Sequence, residues 1–303
     1  MAALDLRTDR NMKNRMHLKA RAGVRPGFLG GMRVLGVLIA VLFATVAAQD
    51  GDSLPPQPRD TTDITSSVTL PPAEKGEVSP PVRQPFHAGE VLKFSVQYGF
   101  IKAGTAYLEV IDQKEWNGRP VYALVARAES NSFFSRFYKV RNRIESYWDV
   151  DGHYSWRYAE NRREGGYKAK SEIQFDYNHQ EARYQDGKSF PIPPRCQDAL
   201  SSFYYTRTQP LPLGGSVVFD YHAGHKSQPL EVKVLGRDKV QTPAGKFDCI
   251  VVEPLLKAGG IFKNKGRLVI WLTDDERRMP VMMKSKVLIG SISVLLVEAK
   301  PGA

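Results

Sequence analysis

The stretch YKAKSEIQFDY alternates without interruption. Tyr167, Ala169, Ser171, Ile173, Phe175 and Tyr177 share one parity, and Lys168, Lys170, Glu172, Gln174 and Asp176 share the other. A period of two sends successive side chains to opposite faces of an extended chain, so this segment can bury one face only as a strand. EVLKFSVQY repeats the pattern through Leu92, Phe94, Val96 and Tyr98, and VRNRIESYW through Val140, Ile144 and Trp148. KFDCIVVEP, GRLVIWLT, MPVMMKSKVLIG and SISVLLVEA read as further strands. The turn chemistry agrees: Asn117-Gly118 and Asp151-Gly152 are tight-hairpin dipeptides, Pro243-Ala244-Gly245 links Val240 to KFDCIVVEP, and Gly290 marks the last connection. The long helical patterns that a parallel sheet demands between its strands do not occur. Residues 86–300 are therefore expected to form a single all-β domain, an antiparallel, strongly curved sheet or incomplete barrel of about twelve strands.

Two short segments break the alternation. CQDALSSFYYTRTQP carries Leu200, Phe203 and Tyr204 at helical spacing, with Asp198 placed to cap the first turn and Pro210 beyond the end. NSFFSRFYKV carries Phe133, Phe134, Phe137 and Tyr138 behind a capping Asn131 or Ser132. Each has one apolar face, and an isolated helix shorter than about 12 residues is marginal in water. One or two short helices are accordingly expected to pack in the concave side of the sheet.

Ahead of this domain the chain changes character twice. The uncharged run Val34 to Ala48 is fifteen residues long, whereas a helix crossing a bilayer core needs about 20 apolar residues. Arg33 precedes it, small residues Val46, Ala47 and Ala48 close it, and polar Gln49 follows. This is the cationic, apolar, cleavable order of an export signal over residues 1–48, cut between Ala48 and Gln49, with Met32 as an alternative start. No stable transmembrane span is expected in the mature chain. Residues 49–85 are rich in Pro, Ser, Thr and Asp with no apolar periodicity, which predicts a disordered linker. Charge follows the same division. Residues 1–33 hold eight Lys and Arg against Asp5 and Asp9, so more than half of the net charge of +11 lies ahead of the apolar run. The remainder is mildly basic, and a nucleic-acid partner loses its main support.

Five segments carry a resemblance in order: FHAGEVLKFSVQYGFIKAGTAYLEV, SFFSRFYKVRNRIESYWD, QDALSSFYYTRT, TPAGKFDCIVVEP and GRLVIWLTDDERRMPVMMKSKV. Over roughly residues 86–299 the chain resembles the exported bacterial family catalogued as domain of unknown function 3108. The resemblance implies a mostly β protein of the Gram-negative envelope, in the periplasm, and it supplies no reaction and no catalytic residues.

The sequence contains little that reads as catalytic chemistry. His222 and His225 are three apart across a Gly-containing turn, without companion ligands at metal spacing, so no metal site is expected. Ser201 lacks the nucleophile elbow, and no phosphate-binding or dinucleotide fingerprint occurs, so no cofactor is expected. Glu160 and Glu164 on one strand would lie about 13 Å apart, beyond the roughly 5–9.5 Å used by paired glycosidase carboxylates, and read as solvated strand charge. Catalytic residues stay unknown.

One constellation is more informative. Across residues 140–177 one parity gathers Trp148, Trp156, Tyr158, Tyr167, Phe175 and Tyr177, and the other gathers Arg141, Arg143, Arg157, Arg163, Lys168 and Lys170. With Phe203 and Tyr204 of the helix, the aromatics could line a trough for an acyl chain or an apolar peptide, while the cations meet anionic headgroups or glycans. Alternatively the aromatics are core beneath the helix and the cations a solvated exterior, the weightier reading because large aromatics mostly supply core area. The only cysteines, Cys196 and Cys249, also leave two readings. They could pair in an oxidising compartment, closing a loop worth about 4 kcal/mol in the entropy model, or serve as small buried apolar residues. The leading functional expectation is a non-catalytic periplasmic binding or carrier protein for an amphipathic envelope ligand, a lipid or a lipoprotein. An assembly or scaffold factor docking another envelope protein is the alternative, and an enzyme on envelope glycan the third.

Overall fold

A computed structural model describes residues 78–79, 85–258, 261–263, 267–286 and 291–303. The export signal, most of the linker and the turn at Gly290 lie outside the described residues. The strands in chain order are β1 (Val78–Ser79), β2 (Val91–Tyr98), β3 (Ile101–Trp116), β4 (Arg119–Ser130), β5 (Val140–Asp149), β6 (Ser155–Glu164) and β7 (Tyr167–Asp176). They continue as β8 (Glu181–Tyr184), β9 (Ser189–Pro191), β10 (Leu211–Pro212), β11 (Ser216–Ala223) and β12 (Lys226–Thr242). The last five are β13 (Gly245–Ala258), β14 (Ile261–Lys263), β15 (Leu268–Thr273), β16 (Pro280–Lys286) and β17 (Ser291–Lys300). Two helices interrupt them, α1 (Ser132–Ser135) and α2 (Ser201–Thr208).

Fifteen strands make one antiparallel sheet in the order β11-β12-β13-β15-β16-β17-β2-β3-β4-β5-β6-β7-β8-β9, with β14 added to β13. Pairing in this sheet follows chain order except that β13 takes both β14 and β15 as partners, that β10 pairs with β1 outside the sheet, and that β17 pairs with β2, the join that zips the two halves of the chain together. The expected count of about twelve fell short because β8, β9 and β14 span only three or four residues each, too few for alternation to register. The turn at Asn117-Gly118 has both residues at positive φ, 51° and 74°, as a two-residue hairpin requires. Asp151-Gly152 differs from expectation. Here Asp149 accepts hydrogen bonds from the Asp151 and Gly152 N–H groups at 3.1 and 2.5 Å, and His153 takes the positive φ, giving a longer loop.

The edge strands β11 and β9 do not pair, so the barrel stays incomplete. The segment before α2 stitches the seam. Gln197 forms a parallel bridge to Tyr221 of β11, and its carbonyl accepts from His222 N at 2.8 Å. Its neighbour Cys196 accepts from Ser155 N of β6 at 3.0 Å. Ser227 Oγ donates to the Pro191 carbonyl at 3.0 Å, drawing β12 toward β9.

The inward parity of the strands builds one core, and α2 fills its centre. Leu200 and Tyr204 are buried, and the Tyr204 ring meets Phe86 edge-on at 4.9 Å. Phe86 in turn lies 5.6 Å from Trp148 and 5.7 Å from Tyr122. Arg207 is 1 % exposed, and its guanidinium donates to both carboxylate oxygens of Glu90 at 2.7 and 2.9 Å and to the carbonyls of Pro85 and Arg277 at 3.0 Å each. A charge can be buried there because its donors find acceptors on every side. Pro85, at the end of the expected linker, is buried beside Phe86, and β1, also within that stretch, pairs with β10. One helix, α2, lies in the concave side, within the one or two expected. Cys196 and Cys249 are separate, buried free thiols rather than a disulfide.

Candidate functional site

The aromatics singled out by parity do not stay together. Trp148, Tyr158, Phe175 and Tyr204 are core. Trp148 Nε1 donates to Gln197 Oε1 at 3.1 Å, and Tyr158 Oη donates to Glu160 at 3.0 Å. Phe203 is half-buried and packs against the same core. Trp156 is displaced by a register shift between Tyr147 and Trp148. It donates to Asp149 Oδ2 at 2.9 Å and packs tilted against Tyr154 and edge-on against Tyr177, whose hydroxyl donates to the Ser155 carbonyl at 2.5 Å. Tyr167 shares the inward parity but lies at the end of its strand, 53 % exposed. The open trough is thus corrected: Phe86 and α2 occupy the space the aromatics could have left for a ligand.

The cations divide as well. Arg143 donates to Glu145 at 2.6 Å, and Arg157 to Glu172 at 2.8 Å. Arg141, Arg163 and Lys168 stand abreast in register across β5, β6 and β7, and Lys170 lies one pair further along. These four are exposed and make no ion pair among the described residues. Like charges directly opposite one another on a sheet are destabilising.

The unpaired end of this row leads to a rim. Because β2 to β7 run up and down in turn, the β2–β3 hairpin, the α1 connection and the β6–β7 hairpin all meet at one end of the sheet. Gly99 takes φ +57° at the first corner of the β2–β3 turn, which leaves Phe100 at the tip. Phe100 is fully exposed, at 105 %. Asn131 ties the next element on: its Oδ1 accepts from Phe134 N at 2.9 Å, capping α1, while its Nδ2 donates to the Lys102 carbonyl at 2.6 Å. In α1 and the residues after it, Phe134 and Tyr138 turn toward the core, and Phe133 and Phe137, with rings 5.7 Å apart, turn to solvent. Tyr138 lies over Gly165, where a Cβ would sit 2.7 Å from its ring, and Gly165 N donates to the Lys139 carbonyl at 2.8 Å. That contact joins the β6–β7 hairpin, which Tyr167 follows, to the segment after α1. Five of the seven strongly exposed large hydrophobic residues, Phe100, Ile101, Phe133, Phe137 and Tyr167, gather at this end, so their exposure is not scattered. Sequence reasoning found the helix and gave it one apolar face; at helical spacing Phe133, Phe134, Phe137 and Tyr138 share a single arc, so no local signal shows which of them the core leaves in solvent.

Other polar groups have structural partners. Asp198 is fully buried; burial pushes its carboxyl up, and hydrogen bonds from Ser146, Ser155, Leu200 N and Ser201 N hold it at the start of α2. Ser201 Oγ accepts from Asp198 N at 2.8 Å. Glu160 and Glu164 face inward rather than to solvent, since Tyr158 satisfies the first, and Asn142 and Arg162 the second, at 2.7 and 3.1 Å. His222 is buried between Tyr184 Oη and Ser227 Oγ, each 2.8 Å away, and desolvation pushes it down to about 4. His225 takes φ +64° at the tip of the β11–β12 hairpin. Among the described residues no group of three His, Cys, Asp or Glu could hold a metal. No helix among them is long and apolar enough to cross a membrane.

An antiparallel sheet wrapped almost into a barrel around one buried helix defines a barrel-like all-β domain. The chain belongs to the family described as protein of unknown function (DUF3108), whose profile matches residues 93–297. In fold it is similar to a β-barrel-like protein of the DUF1849 domain from Brucella abortus, at 9 % identity and TM-score 0.50, covering 72 % of this chain and 99 % of that one. Weaker matches are structures described as a candidate lipoprotein from Parabacteroides distasonis (12 % identity, TM-score 0.33, covering 73 % of this chain and all of that one) and a candidate exported protein with YmcC-like fold from Bacteroides fragilis (13 %, 0.36, 73 % and 99 %). No curated protein matches the sequence.

Proposed function

We propose that this protein is exported to the Gram-negative periplasm and acts there as a non-catalytic binding protein for an amphipathic envelope ligand, a lipid or the lipid-bearing end of a lipoprotein, which it meets at the rim. The observation that carries the reading is the gathering of Phe100, Ile101, Phe133, Phe137 and Tyr167 in solvent beside unpaired cations. An apolar patch bordered by charge matches a molecule with an acyl portion and a polar head. The filled interior supports the rim over the sheet's concave side, and the structural engagement of Asp198, Ser201 and His222 supports binding over catalysis. The export-signal pattern ending at Ala48 supports the compartment.

Isothermal titration of the mature chain with a lysophospholipid kept below its micelle concentration tests the binding. Saturable uptake is expected, and it should vanish in the double variant Phe133→Ser, Phe137→Ser. Uptake unchanged in that variant, or none in either protein, refutes the reading. N-terminal sequencing of the periplasmic fraction tests the compartment, with Gln49 expected first.

A further inference from the structure

We propose that the rim is a docking surface for an anionic lipid bilayer, on which the protein stands end-on with its strands upright and its hairpin tips in the headgroup layer. The inference rests on the rim being the ligand-binding surface, and it names the bilayer face itself as what is bound.

Three observations converge. First, the apolar residues occupy tips and not grooves. Phe100 crowns a two-residue turn and Phe133 and Phe137 line the outer side of a single helical turn, so nothing among the described residues encloses them. A flat array of protruding aromatics suits a soft interface in which each ring enters separately. Aromatic side chains concentrate at membrane interfaces because ring and headgroup layer are both part apolar and part polar. Second, exposed cations surround these rings: Lys102 after the first tip, Arg136 and Lys139 flanking the second, Arg163 and Lys168 flanking the third. None makes an ion pair among the described residues, and the nearby exposed acid is Glu129 alone. Third, several cations elsewhere on the sheet surface are matched: Arg119 with Asp149 at 2.8 Å, Arg127 with Glu109 at 2.7 Å, Arg237 with Asp274 at 2.7 Å and Lys239 with Asp248 at 2.6 Å. Others, such as Lys226, Lys233 and Lys246, are exposed without an ion pair among the described residues, so what sets this end apart is that its cations stand beside exposed rings. A negative surface potential would relieve the repulsion along Arg141, Arg163 and Lys168 and draw the rings into the interface.

Co-sedimentation with vesicles tests the proposal, using the mature chain with phosphatidylcholine alone or mixed with about a third phosphatidylglycerol, an anionic lipid. Binding is expected to the mixed vesicles, at least about tenfold stronger than to neutral ones, and should collapse as salt shortens the screening length from about 10 to 3 Å. Arg163→Glu with Lys168→Glu should abolish it, as should Phe100→Ser with Phe133→Ser and Phe137→Ser. All these side chains are exposed, so the thermal midpoint should hold and serves as the folding control. In a separate variant, Phe100→Trp, the indole emission should shift blue on mixed vesicles and be quenched by a headgroup nitroxide. Uptake of monomeric lysophospholipid without vesicle binding overturns docking while leaving the proposed function intact. Equal binding to neutral vesicles, or an unquenched indole at position 100, overturns docking too.

Discussion

Replacing Arg207 by Met should unlock the helix from the sheet. The guanidinium makes two bonds to Glu90 and one each to the carbonyls of Pro85 and Arg277, joining α2 to residues 117, 122 and 70 positions away in sequence. Removing it leaves Glu90, only 5 % exposed, as a buried carboxylate without its cation, and leaves the Pro85 and Arg277 carbonyls short of donors. Breaking a buried pair from one side costs about 3–5 kcal/mol, mostly through the charge left behind. With a slope of about 2 kcal/mol per molar urea, the unfolding midpoint should fall by about 1.5–2.5 M at unchanged slope. Tryptophan fluorescence can follow the transition, since Trp148 shares the core with Phe86. The double variant Arg207→Met, Glu90→Met should lose less than the sum of the single losses, because it removes both charges together. A single-variant loss under about 1 kcal/mol, or strict additivity in the double, would refute the claim that this pair locks α2 in place.

Three further outcomes follow from buried groups. The His222 imidazole is held near 4, below its ordinary 6.5, so its contribution is fully present above pH 6.5 and lost as pH falls through about 4, the unfolded chain taking up the proton first. His222→Gln should remove about 3 kcal/mol of that pH dependence, read as the difference between the two stability profiles from pH 7 to 4; parallel profiles would refute the claim that His222 governs this window. Burial pushes both cysteine thiols up to about 12, so a thiol reagent should label neither in the native protein and both after unfolding without reductant; a shortfall on unfolding that reductant restores would reveal a bond between them. Tyr204 Oη is buried without a hydrogen-bond partner among the described residues, so Tyr204→Phe should be neutral or stabilising by up to about 1 kcal/mol in thermal or urea unfolding, and a comparable loss would mean the hydroxyl has a partner.

What the sequence determined by itself was set by local geometry. Alternation over Tyr167 to Tyr177 permits a half-buried strand and little else, and Asn117-Gly118 tolerates the two positive φ angles that its hairpin needs. Asp198 could be placed at the start of a helix because a carboxylate there meets free N–H groups, as it does those of Leu200 and Ser201. The outward row of Arg141, Arg143, Arg163, Lys168 and Lys170 followed from parity alone. Tertiary structure decided which faces meet the core and which meet solvent, because periodicity groups residues onto a face without saying what covers it. Trp148 and Tyr204 became core only when Phe86, far away in sequence, entered between them, and Trp156 left their face at a register shift that no local signal marks. Arg207 reads as exposed because it is charged, and is buried because Glu90 lies 117 residues away in sequence yet 2.7 Å away in space. The rim is the clearest case: Phe100, Phe133 and Tyr167 belong to three separate turns, and only the up-and-down course of six strands brings those turns to one end.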